Sequence, residues 1–294
     1  MIRNHKFTTG RKLKVLAVSV ILILVTGTTN ARETRHQGSD AALQAQNAAL
    51  EKNTDSKGFG PQSPRDLASP NGSNKRIFLP APSYQQMNLC NIHFHKNAEH
   101  KGGEFTSFAG YGDGQGNDTG YKFSGKLNTA ESKPLESEIC KSAHGGLNVG
   151  DTLELHYVHS TAKVSPGPTL KSCLSDSDIN PQLRVEAVVL VLVNDPKAEN
   201  FNALAKVTEV NGYHQAPNIP KNVGTPIRYA GSTTGPAYNE KGSPLQVSWS
   251  VRPKVVKVNA ESVGRWCKDN VFAEDHAHGV RNLVTNQNLL SKIK

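Results

Sequence analysis

Asn91-Ile92-His93-Phe94-His95-Lys96-Asn97-Ala98-Glu99-His100 places three imidazoles and a carboxylate in the eight residues from His93 to His100. Read as a β-strand as far as His95, it sends His93 and His95 to one face and Ile92 and Phe94 to the other. Two neutral nitrogen donors then stand side by side, with an apolar back to pack on the protein. Zinc wants such a pair, one further protein ligand and an open fourth position. Taken alone, a His-x-His pair is equally the mark of two surface histidines, so the rest of the chain decides.

The candidates for a third ligand are His100 and His156. Leu153-Glu154-Leu155-His156-Tyr157-Val158-His159 alternates as a strand, with Glu154, His156 and Val158 on one face. Metal-bound histidines usually pass their second N–H to a carboxylate, amide or carbonyl, which fixes the tautomer and the ring angle. Asn91 stands two residues before His93, and Glu154 two before His156, each on the candidate ligand's own face.

His93-Phe94-His95, Glu99-His100 and Glu154 to His159 together resemble the zinc site of α-type carbonic anhydrases. Glu186 to Val193, Gly231-Ser232-Thr233-Thr234-Gly235-Pro236 and Val247-Ser248-Trp249 extend the likeness downstream in the same order. The wording around His93 to His100 resembles the δ class most. The resemblance covers roughly residues 84–267. It implies exported zinc chemistry, the reversible hydration of carbon dioxide to bicarbonate and a proton, with His93, His95 and His156 as ligands. It makes Asn91, Glu154 and His100 supports of those ligands, and has Thr233 and Glu99 orient the attacking oxygen. Val158, Val188, Val247 and Trp249 would line the apolar substrate wall, and Thr234 would lie near the product. Other divalent ions can occupy a three-histidine site.

The implied fold is mainly β, a large twisted and mostly antiparallel sheet with a few short helices. The pattern agrees: Val185 to Val193 is a continuous apolar run, and Val247 to Val251 and Val255 to Val258 are strands parted by Pro253. Short helices are expected over Ala198 to Val210 and Glu261 to Asp269. His159 is expected in the core. His144 offers itself as a proton shuttle by residue type alone. His276-Ala277-His278 reads as a solvated pair or an adventitious metal site.

The chain opens with five Lys/Arg and an apolar run from Val15 to Val25, followed by Thr29-Asn30-Ala31. This is the pattern of a signal peptide over residues 1–31, too short to span a bilayer. It predicts export to a periplasm or beyond, with no stable membrane anchor after cleavage. Its loss takes away five bases and no acid, so the net charge falls from +9 to +4. No Lys/Arg cluster remains, and a nucleic-acid partner is not expected. Residues 32–80 are polar and lack a hydrophobic period, apart from a short helix expected over Ala41 to Leu50, and read as a poorly ordered leader. Residues 81–294 are then the catalytic domain. Cys90, Cys140, Cys173 and Cys267 form an even set in an exported chain, which predicts two disulfides among three possible pairings.

Two other readings compete. His93-x-His95 followed by Glu99 fits the first motif of a cupin that binds iron or manganese, but the glycine that motif requires is absent, Met87 standing there, and no second motif follows. A non-catalytic exported metal-binding protein is the other. N-terminal sequencing of the exported protein should begin near Arg32; a start at Met1 would contradict the signal-peptide reading.

Overall fold

The computed structural model describes residues 38–293. The segment read as a signal peptide lies outside them. The central sheet contains β1 (Asn88–Lys96), β6 (Thr152–Ser160), β7 (Leu183–Val193), β10 (Ile227–Ser232), β11 (Gln246–Val251) and β12 (Val256–Asn259). Smaller hairpins are β2 (Ser107–Tyr111) with β3 (Thr119–Lys122), β4 (Ile139–Ser142) with β5 (Gly145–Leu147), and β8 (Thr208–Val210) with β9 (Tyr213–Gln215). The helices are α1 (Asp40–Thr54), α2 (Phe201–Leu204) and α3 (Ala260–Trp266).

The sheet runs in the order β1-β6-β7-β11-β10, with β12 also on β7. Three joints are antiparallel and the two that β7 makes with β11 and β12 are parallel. β11 pairs with the first half of β7 and β12 with the second. Pro253 lies between them and has no N–H to give a ladder, so two short strands share an edge that one could have lined.

Every residue of β6 is buried, and β7 is buried throughout except at Arg184. Both faces of these strands are covered, and each face has its own core. Phe94, Leu155, Tyr157, Val188 and Leu190 pack under α2 and α3. Val158, Val185, Ala187, Val189, Val247 and Trp249 form the other layer. His93 lies opposite His156 in the ladder, and His156 opposite Ala187, so the histidines share the second face. Phe94 anchors their backs on Phe201 and Trp266, with ring centroids 5.7 and 5.8 Å away. Losing a core aromatic of this kind costs about 3–5 kcal/mol.

Several expectations need correction. Val188 points to the helix-covered face, away from the histidines; Val185, Ala187 and Val189 hold the near positions. From Ala187 to Val193 β7 is apolar at every position, so that run has no polar alternation to fix its phase, and a slip of one residue reverses every side chain. The helix expected over Ala198 to Val210 is confined to α2, capped by the Asn200 side chain, and the chain turns into β8 at Thr208. The expected helix Glu261 to Asp269 is α3, displaced toward its Asn259 cap.

Nor is the polar leader without structure. Ser39 caps α1 by accepting from Ala42 N at 3.1 Å, and Leu50 packs on Val284, Leu289 and Leu290. Further along, Gln62, Ser63 and Arg65 are fully buried. This segment is held by hydrogen bonds to backbone groups, which leave no hydrophobic period to read. Arg65, for instance, donates to the carbonyls of Ser69, Asn71 and Ser291.

The four cysteines pair as Cys90–Cys173 and Cys140–Cys267. The first ties β1 to the loop before β7, and the second ties the β4–β5 hairpin to the end of α3. Both close long loops, 83 and 127 residues apart in sequence. Thiol labelling of the denatured, unreduced protein should find no free cysteine, and reduction should lower stability by about 2–5 kcal/mol per bridge. Four reactive thiols would contradict the pairing.

Candidate metal centre

His93 and His95 project from β1, and His156 from β6. Their ligand atoms all lie within 4.8 Å of one another. His95 and His156 are buried, and His93 is half-buried. His93 Nδ1 is 2.6 Å from Asn91 Oδ1, His95 Nδ1 is 2.9 Å from the Gly279 carbonyl, and His156 Nε2 is 3.0 Å from Glu154 Oε1. A carbonyl, an amide oxygen and a carboxylate can only accept, so each of those ring nitrogens carries the proton. His93 Nε2, His95 Nε2 and His156 Nδ1 are left as lone-pair donors.

This arrangement suits a cation. His93 Nε2 and His156 Nδ1 face each other at 3.2 Å with no proton assigned between them. His95 Nε2 is buried with no hydrogen-bond partner among the described residues. Two opposed lone pairs and a stranded third are unfavourable unless a positive ion satisfies them. Burial keeps the rings neutral: it lowers His93 well below the ordinary imidazole value, His95 to about 4, and His156 as well, against the pull of Glu154.

Glu154 accepts four hydrogen bonds. Its Oε2 accepts from Glu99 N at 2.8 Å and His100 N at 3.1 Å. Its Oε1 takes His156 Nε2 and also His100 Nδ1, the latter at 2.6 Å. Burial alone would raise this carboxyl, but His100 and His156 hold it well below its usual range. His100 continues the chain to the Tyr229 hydroxyl at 2.6 Å, which lies 3.1 Å from Ser63 Oγ. Gly231 makes that approach feasible, because a Cβ there would come within 1.9 Å of Ser63 Oγ. His100 is thus a buried support and does not belong to the histidine triad.

Glu99 is buried beside the triad, and burial raises it to about 7, against the pull of His156 and His100. His95 Nδ1 is 3.1 Å from Glu99 Oε1, and the Thr234 hydroxyl also approaches the carboxylate. Neither oxygen makes a hydrogen bond of good geometry. Thr233 is occupied elsewhere, its Oγ1 lying 2.6 Å from Ser243 Oγ. Trp249 packs 5.1 Å from the His156 ring and 4.9 Å from His100, with its indole N–H donating to Ser232 O. Val158 and Val247 are on the same face; Val188 is not.

The carboxyl-terminal segment supplies what side-chain patterns could not reveal. His278 N donates to Phe94 O at 2.9 Å and Lys96 N to His278 O at 3.0 Å, so the segment lies along the outer edge of β1. That brings the Gly279 carbonyl under His95. It also sets the His278 ring 5.8 Å from His93 and 5.9 Å from His95, with His278 Nε2 held by Glu274 at 2.7 Å. Of the tail pair read as solvated or as an adventitious metal site, His278 is therefore half-buried beside the three histidines. Arg281, also buried, donates to Ser63 O and Gln62 Oε1. His144 and His278 line one small cavity, with His144 exposed at its rim.

Residues 84–262 match the family described as delta carbonic anhydrase. No curated protein matches the chain. Among solved structures, a hyperthermostable carbonic anhydrase identified from an active hydrothermal vent chimney overlaps at 16% identity, over 78% of this chain and 87% of that one, with a TM-score of 0.28. The α-carbonic anhydrase of Thermovibrio ammonificans with sulfanilamide overlaps at 12% identity over 76% and 84%, with a TM-score of 0.27. That of Photobacterium profundum gives 15%, 78%, 88% and 0.26. Weight rests on the family match, which spans more than half the chain; superpositions this loose add none.

His156→Ala should abolish stoichiometric metal, whereas His100→Ala and His278→Ala should keep it, as read by metal analysis of purified protein. Glu154→Gln should weaken binding roughly 10- to 100-fold. Since only the neutral ring binds metal and burial lowers all three pKa values, retention should persist below the ordinary imidazole value of 6.5. Metal retained in His156→Ala but lost in His100→Ala would mean a different ligand set.

Proposed function

Because the chain belongs to the delta carbonic anhydrase family, we propose that it hydrates carbon dioxide with a zinc ion held by His93, His95 and His156. The observation that carries this reading is the convergence of three unprotonated ring nitrogens beside an apolar wall. When bound, the metal supplies Lewis acidity that makes water nucleophilic near neutral pH, an effect for which carbonic anhydrases are themselves the reference case.

The chain's own groups do the rest. Three neutral imidazoles add no charge, so the site keeps the full positive charge of the ion. Asn91, Gly279 and Glu154 hold the rings in one tautomer and orientation. Val158, Val247 and Trp249 offer carbon dioxide a surface with few hydrogen bonds, which suits an apolar electrophile, and Ala187 takes the place expected of Val188. Orienting the attacking oxygen falls to Thr234, whose hydroxyl approaches Glu99, and not to Thr233, which is bonded to Ser243. Glu99, as the carboxylate, would accept a hydrogen bond from that hydroxyl, and a bound cation would favour this form over the raised pKa of the metal-free site. Bicarbonate and a proton are the products.

Two disulfides suit an oxidising compartment and so support export to a periplasm or the medium. Among the described residues no helix is long and apolar enough to cross a membrane. A stopped-flow assay of carbon dioxide hydration tests the function: the zinc-loaded protein should be active, and chelation should abolish the activity. Thr234→Ala should keep its metal and lose about 10²-fold or more in turnover, the scale of one lost transition-state hydrogen bond. Thr233→Ala should lose less. The reverse order would return the orienting role to Thr233, and an inactive, fully metallated wild type would overturn the enzymatic reading.

A further inference from the structure

A second cavity, of about 1120 Å³, lies under the segment 75–80, which arches over the end of the sheet formed by β10 and β11. It reaches the face that Ala230 and Ser248 present, opposite the histidines across these strands. Both ends of the arch are fastened. Ser73 N and Asn74 N donate to Gln287 O and Leu290 O at 2.8 and 3.0 Å. At the other end Ala81 N donates to Ser248 Oγ at 2.8 Å, and Arg184 donates to Pro82 O at 2.6 Å and Ala81 O at 2.7 Å. Between those anchors the arch leaves apolar side chains uncovered, Ile77 at 93% and Leu79 at 82% exposure.

The lining has an unusual charge balance. Phe59, Phe78, Leu174, Leu183 and Val247 make it apolar, five Lys/Arg side chains border it, and no carboxylate does. Arg184 is committed to the arch and to Glu186, 3.5 Å away. Lys57, Arg76, Arg228 and Lys292 have no ion-pair partner among the described residues, and all four are exposed. Apolar walls with convergent charge at the rim are the composition of a ligand pocket, and the volume is ample for one. Unpaired cations without acids select an anion. A strap tied at both ends admits a slender chain from its open side and keeps out a flat bilayer.

We infer that this cavity binds an amphiphilic monoanion of the fatty-carboxylate class, its tail under the arch and its carboxylate among Lys57, Arg76, Arg228 and Lys292. The cavity opens away from the histidines but borders the metal centre, because Val247 and Trp249 belong to both linings. Trp249 and Tyr229 line it and also flank His100, so an occupant would press on residues that back the site.

The test is calorimetric titration of the full exported chain with decanoate below its micelle concentration, beside octanoate, decan-1-ol and vesicles of anionic phosphatidylglycerol. Decanoate should bind saturably at one per chain, and octanoate up to roughly 16-fold more weakly, since each buried methylene is worth about fourfold. Decan-1-ol should bind at least tenfold more weakly than decanoate. The variant Lys57→Gln/Arg76→Gln/Arg228→Gln/Lys292→Gln should lose that preference while binding decan-1-ol as before; an unchanged metal content would show that it is folded. No saturable decanoate binding, an unaltered preference in the variant, or binding to vesicles alone would overturn the assignment.

Discussion

Three hydrogen bonds decide what this protein can do: those from His93 to Asn91, from His95 to the Gly279 carbonyl and from His156 to Glu154. An imidazole has two nitrogens, and without a fixed partner either can carry the proton. Each of these partners can only accept, so the proton is drawn to the outer nitrogen and the inner one is left bare. Burial then removes the alternative of protonating both. The result is a set of three bare nitrogens whose chemistry suits a cation. The surrounding sheet, with its apolar layers on both faces, keeps the rings from turning away.

Each partner depends on something further out. Glu154 could not remain a buried carboxylate without the backbone N–H groups of Glu99 and His100 and the ring of His100. His100 in turn meets Tyr229, and Tyr229 meets Ser63, from the segment that follows α1. Gly279 reaches His95 only because the carboxyl-terminal segment lies along β1. Residues from both extremes of the described chain therefore support two strands in its middle, and the two disulfides limit how far those parts can separate.

Alternation placed Asn91, His93 and His95 on one face, and Glu154, His156 and Val158 on one face of the neighbouring strand, which is how the structure has them. That much was legible because β1 and β6 mix polar and apolar residues, and period two is then visible. Val188 shows the limit: from Ala187 to Val193 the strand is apolar at every position, and within that run neither phase leaves a trace. Gly279 was illegible for another reason, since a backbone carbonyl is the same at every residue. Gln62 and Ser63 were missed because a polar segment fastened by hydrogen bonds looks like one fastened by nothing. The choice between Thr233 and Thr234 turns on a loop path, and adjacent identical residues give no sequence signal for it.

The coordination sphere is the point on which the function turns, and zinc-edge X-ray absorption on the zinc-loaded wild type reads it directly. Three imidazole ligands, recognised by multiple scattering from their rings, and one further oxygen, all at about 2.0–2.1 Å, are the predicted shell. A shell with four imidazoles, or with a sulfur at about 2.3 Å, would show that the nitrogens left bare by Asn91, Gly279 and Glu154 are not the set that holds the metal.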